Sequence, residues 1–144
     1  MIKSRNILIE KIKQQGLPFN MNNPRFIPLL TLEDFFTENI DLGSIGCNLI
    51  NHPGLDIFFN ILKEIRIKDN VIDVLVGIIE VEESDLTMWP FSDRIYIITT
   101  ASKEMIYNWV KVLEPDDIYE ENISKINSGI IIPNGYKCYC IWWD

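Results

Sequence analysis

The chain has 144 residues, 47% of them hydrophobic and 24% charged, and a formal net charge of -8. That length supports one domain of ordinary size with a core that needs no disulfide staples, and the balance excludes a disordered chain. An acidic body repels phosphate backbones, so no nucleic-acid partner is expected.

Ile2, Leu8, Ile9 and Ile12 recur near helical spacing, and Gly16 with Pro18 supplies a stop, which predicts a helix over about residues 2–15. Lys3, Arg5, Lys11, Lys13 and Arg25 against Glu10 give residues 1–30 a net +4, leaving -12 on the remainder of a chain at -8. The apolar run Ile7-Leu8-Ile9 is too short for the core of a signal peptide. No segment has the apolar length to cross a membrane, so a cytoplasmic protein with no membrane partner is expected. Residues 18–30, with Pro18, Pro24, Pro28 and several Asn, predict an extended linker over the surface.

Thr31 can cap a short helix from Leu32 to Glu38, with Asp34 at the third position. Ser44 to Leu49 is a first strand candidate, weakened by Gly46. Asn51-His52-Pro53-Gly54 then enters a helix from Leu55 to Ile67, with Phe58, Phe59, Leu62, Ile65 and Ile67 on its apolar stripe. Val71–Glu82 is rich in β-branched residues and predicts a strand. Ser84–Ser92 makes a long hairpin loop before a strand over Arg94–Thr100. Ser102 caps the next helix, whose buried side is Met105, Ile106, Trp109, Val110 and Leu113 and which Pro115 stops. Residues 116–134 show no periodicity, and Tyr136–Trp143 predicts the last strand.

This order is βαββαβ, so the expected fold is α+β: a ferredoxin-like core over residues 44–144 with an N-terminal helix and linker, residues 1–43, packed on it. In the second strand Val71, Leu75, Ile79 and Val81 alternate with Ile72, Val74, Val76 and Ile78; in the third, Ile95 and Ile97 alternate with Tyr96 and Ile98. Strands apolar on both sides are buried on both sides. One layer of helices leaves the far face to be covered, either by the N-terminal segment, the favoured cover, or by a second copy of the chain. Monomer and homodimer both stay open.

Cys47, Cys138 and Cys140 are an odd number of thiols, which suits a reducing cytosol. If the last strand lies beside the first, Cys138 and Cys140 come near Cys47, and His52 joins them as a weak candidate set for zinc or iron. C-x-C with isolated partners is no ligand motif, so core packing is the better reading and no metal or cofactor is expected. His52, the sole histidine, has Asp56 one helical turn away and could act as a general acid–base; capping or packing its turn is the simpler role. No phosphate loop, nucleophile elbow or His-Glu metal motif is present.

Glu80, Glu82, Glu83 and Asp85 flank the hairpin loop, and Glu114, Asp116, Asp117, Glu120 and Glu121 form a second acidic cluster. Solvated loop charge explains both, yet together they could attract a cationic protein surface. Trp89 and Phe91 on the loop are either anchors folded over the sheet edge, the favoured reading, or binding hot spots. Trp142 and Trp143 point to opposite sides of the last strand.

The strings Thr31-Leu32-Glu33-Asp34-Phe35-Phe36, Gly43-Ser44-Ile45-Gly46-Cys47-Asn48-Leu49, Trp89-Pro90-Phe91-Ser92-Asp93 and Ile141-Trp142-Trp143-Asp144 resemble a family of small acidic uncharacterised bacterial proteins. The resemblance covers about residues 31–144. It implies a bacterial source and a single-domain protein and carries no activity, ligand or site.

The residues lead to a non-catalytic interaction protein that meets a basic partner, in an immunity-type or adaptor role. Its interaction candidates are Glu82, Glu83, Asp85, Trp89, Phe91, Asp116, Asp117, Glu120 and Glu121. A small-molecule-binding or regulatory domain, dimeric through the sheet face, is the alternative, and an enzyme using His52 the third reading.

Overall fold

The computed structural model describes residues 1–144. Helix α1 spans Ile2–Gln15 and ends at Gly16, whose φ of 125° lies where a side chain is strained. Its buried stripe is Arg5, Leu8, Ile9 and Ile12, at i, i+3, i+4 and i+7, while Ile2 is half exposed. The linker leads to a two-residue strand, β1 (Leu29–Leu30), and a short helix, α2 (Leu32–Phe36). Thr31 caps α2 as its position predicts, accepting a hydrogen bond from the Asp34 N–H at 3.0 Å.

Residues 44–49 do not form a strand. A 3-10 turn covers Leu42–Ser44, and Gly46 then adopts a φ of 64°, a left-handed conformation that breaks extended backbone. A Cβ on Gly46 would stand 3.0 Å from the Leu49 side chain and 3.1 Å from the Phe58 ring, so the turn is packed as well as bent. Local polar contacts hold it: the Asp41 carboxylate accepts from the Gly43 N–H, and buried Asn39 donates to the Ser44 hydroxyl. With that strand missing, the βαββαβ order does not form.

Helix α3 (Leu55–Arg66) feeds strand β2 (Val71–Gly77); β3 (Arg94–Thr99) returns antiparallel to it. Helix α4 (Lys103–Val110) begins at Ser102, whose hydroxyl accepts from the Met105 N–H. Ile106, Val110 and Leu113 are its buried residues; Met105 turns outward and Trp109 is half-buried. Strand β4 (Asp117–Glu120) follows, within a stretch that lacks periodicity, and β5 (Lys137–Trp142) ends the sheet. The strand order is β1-β2-β3-β5-β4, antiparallel throughout. The last strand therefore lies between β3 and β4, where the ferredoxin-like arrangement would place it beside a first strand.

One sheet face carries Val74, Val76, Ile95, Ile97, Tyr139 and Ile141, and all four helices pack into the core on that side. A fully buried Leu, Ile or Phe of this kind stabilises by roughly 2 kcal/mol relative to exposure. A register shift between Val71 and Asp73 puts Val71 in the same core and leaves Ile72 46% exposed. The sequence alternation places them the other way, and one bulged residue reverses it.

The other face carries Leu75, Tyr96, Ile98, Cys138 and Cys140. It is covered from within the chain by Ile27 and Leu29 of the linker and by residues 123–136, which contribute Ile123, Ile126, Ile130, Ile132 and Tyr136. Asn127 ties the two covers together by donating to the Ile27 carbonyl. The linker thus supplies part of the expected cover, whereas α1 packs on the opposite, helical side. Gly77 lies under this second layer, and a Cβ there would come within 2.8 Å of the Tyr96 ring.

Candidate functional site

The first acidic group is bound up with α1. Buried Arg5 reaches the hairpin loop and donates to the carbonyls of Glu82, Glu83, Asp85 and Met88, the last at 2.6 Å. Lys13, about two turns further along α1, pairs with the Glu83 carboxylate. The other loop carboxylates serve the loop itself. The Ser84 hydroxyl and amide hold the Glu82 carboxyl below its usual range, and the Thr87 hydroxyl and amide do so for Asp85. The Glu80 carbonyl accepts from the N–H of Phe91, which is half-buried, and the Ile79 N–H donates to the Phe91 carbonyl. Trp89 is 2% exposed and sits in the core, its backbone N–H donating to the Asp41 carboxylate at 3.0 Å. It is an anchor with no surface left to offer a partner.

Sequence reasoning counted Arg5 only as a charge. Its signal was its place on the apolar stripe with Leu8, Ile9 and Ile12, where an arginine is buried only if its donors find acceptors.

The second acidic group has a different setting. Glu114, Asp116, Asp117, Glu120 and Glu121 run along and beside β4, the terminal strand of the sheet. Glu120 lies 3.9 Å from Lys137, a long and exposed contact, and the Asp116 carboxylate accepts from the Asp144 N–H. Between α4 and β4 runs an open groove of 570 Å³, lined by Lys103, Glu104, Tyr107, Asn108, Asp116 and Asp117 among others. A second open groove, of 450 Å³, lies on the other side of the strand against Glu120, Glu121, Ile132 and Tyr136.

The weak metal candidates do not converge: no cluster of three or more ligating side chains forms. Cys47 is exposed in the turn after Ile45, while Cys138 and Cys140 are buried on the second sheet face. Cys140 stands in a cross-strand row between Tyr96 and Tyr119. Burial pushes the Cys138 thiol up to about 12 and the Cys140 thiol to about 11, so both are protonated and poor nucleophiles at neutral pH. His52 has both ring nitrogens occupied by backbone. Nδ1 accepts from the Gly54 N–H at 2.9 Å, which leaves Nε2–H to donate to the Ile45 carbonyl at 2.8 Å. Asp56 is not among its partners. The imidazole braces the turn and packs on Phe58.

Trp143 is buried, with its indole N–H on the Leu113 carbonyl, and Trp142 is half-buried on the other face with its N–H on Asp93. The two sides predicted for them are the two sides found.

No helix is long and apolar enough to cross a membrane. The model of the Uncharacterized protein YfbO family matches residues 3–141. A protein of Escherichia coli (strain K12), Uncharacterized protein YfbO, is 39% identical over 127 residues, 87% of this chain and 87% of its own length. No solved structure matches the chain. The family match takes in α1, which the sequence strings at 31–144 left outside. From its first helix to its last strand, this chain belongs to the YfbO family of uncharacterised bacterial proteins.

Proposed function

We propose that this protein is a non-catalytic interaction module that meets a basic partner protein with the acidic surface around β4, in an immunity-type or adaptor role. One observation carries the proposal: five carboxylates within residues 114–121 are gathered along a sheet edge with no further strand beyond it. The acids of the hairpin loop contribute less, because Arg5, Lys13 and the loop's own hydroxyls already engage that segment. Like charges collected on one edge form a field that speeds encounter with a cationic surface and selects against acidic ones. The groove beside β4 is open rather than enclosed, which suits a macromolecular partner better than a buried small ligand. A dimer through the second sheet face has little apolar surface to use, since residues 123–136 and the linker cover it.

The test is co-purification of basic proteins from a bacterial lysate at low ionic strength. Three isosteric changes, Asp116→Asn, Asp117→Asn and Glu120→Gln, neutralise the edge. Glu10→Gln, Asp56→Asn and Glu64→Gln remove equal charge elsewhere. The edge variant should lose capture by about tenfold or more, the control by less than about twofold, and salt should abolish capture by wild type. An equal loss from both sets would mean that only bulk charge matters, and the proposal would fall.

A further inference from the structure

The two edges of the sheet are treated differently. At β1, the Ile78 N–H donates to the Pro28 carbonyl, so antiparallel alternation turns the N–H and C=O of Leu29 away from β2. Gln15 meets both of them: its side-chain N–H donates to the Leu29 carbonyl at 2.8 Å, and its carbonyl accepts from the Leu29 N–H at 3.0 Å. A primary amide thereby stands where another strand would pair with Leu29, and β1 is capped.

At β4 the Glu121 N–H donates to the Cys138 carbonyl, and the same alternation turns the backbone of Ile118 and Glu120 outward. The Ile118 N–H is taken by the Asp117 carboxylate at 2.8 Å. No side chain caps Glu120, and no strand of the chain lies beyond β4. The open edge is flanked by the groove under α4 on one side and the groove against Ile132 and Tyr136 on the other. These two troughs are where the alternating side chains of an added strand would go.

We infer that β4 accepts an extended basic segment of a partner protein as a sixth strand, with main-chain hydrogen bonds to the Ile118 carbonyl and to Glu120 and cationic side chains beside Glu104, Asp116, Asp117 and Glu121. This rests on the proposed basic partner and adds how that partner binds. Charge complementarity selects the occupant. A second copy of β4 would set Asp117 and Glu120 against their own like charges, which disfavours pairing.

The test uses the full chain and a blocked peptide of four Lys-Val repeats, with a twin of identical charge N-methylated at every residue. The plain peptide should slow hydrogen exchange at the Glu120 amide by about tenfold, and the N-methylated twin should bind about tenfold more weakly. Glu120→Pro, which removes the outward N–H together with the carboxylate, should abolish binding of the plain peptide, whereas Glu120→Gln, equal to it in charge, should retain binding, with β3 and β5 amide shifts in place in both. If Glu120→Pro unfolds, the comparison of the two peptides decides alone. Equal binding of both peptides, or unchanged exchange at Glu120, overturns strand addition and leaves the basic-partner proposal standing on its own capture experiment. Absence of binding by either peptide also overturns it. Concentration-dependent protection of Glu120 without peptide would show that the chain pairs with itself, and would overturn it too.

Discussion

Arg5 is a full charge buried among backbone carbonyls, with no carboxylate in hydrogen-bond contact. Its planar fork matches several acceptors at once, which an ammonium cannot do. Removing it leaves the loop carbonyls without donors, so Arg5→Met should lower stability by about 3 kcal/mol, read as a shift in urea midpoint. Arg5→Lys should recover only part of that loss. A loss under about 0.5 kcal/mol in Arg5→Met would show that the loop over residues 82–88 holds itself. The thiols give a second prediction. A disulfide-exchange reagent should titrate one cysteine, Cys47, in the native protein and all three after denaturation. Cys138 and Cys140 sit at about 12 and 11 in the native state, raised by burial from an ordinary 9.0. Between those values the unfolded chain binds fewer protons than the native one, so stability is intact below pH 9 and falls as pH rises through 9 toward 12. Urea midpoints at pH 8 and pH 10 check the sign; a higher midpoint at pH 10 would contradict it.

At the scale of elements, Gln15 joins the end of α1 to β1 by two hydrogen bonds. Gln15→Ala should cost about 1 kcal/mol and speed exchange at the Leu29 amide, while Gln15→Glu keeps the acceptor but loses the donor and should fall between. The same contrast shows what the residues could reveal beforehand. Helix α1, helix α4 with its Ser102 cap, and strand β3 are written in apolar spacing, and the structure has them where that spacing puts them, whereas β2 stops at Gly77, short of the expected Glu82, and its bulge exchanges the faces of Val71 and Ile72. Strand β4 was not legible, because Asp117-Ile118-Tyr119-Glu120 offers one cycle of alternation inside an acidic run. It is a strand because β5 pairs with it, which is a tertiary cause. Ser44–Leu49 erred the other way: apolar and short, it reads as a strand, but Gly46 bends it and Asn39 and Asp41 fix the bend.

For the molecule as a whole, the absence of a strand at 44–49 and the presence of β1 and β4 replace the expected βαββαβ with an antiparallel sheet ending in β5 and β4. The candidate surface moved with it. Residues 114–121 were singled out for charge, but their position on an edge came only with the sheet order, and Arg5 and Gln15 entered only through their partners. The second face needed no separate copy of the chain, because residues 123–136, which carry no periodic pattern, fold back over it. The amide that caps β1 has a consequence for assembly. A sheet with two receptive ends can grow without limit, each added molecule offering a fresh end to the next. With Leu29 capped, pairing at β4 uses up the one end left open beyond a terminal strand, so chains joined through that end pair as two and do not extend through β1.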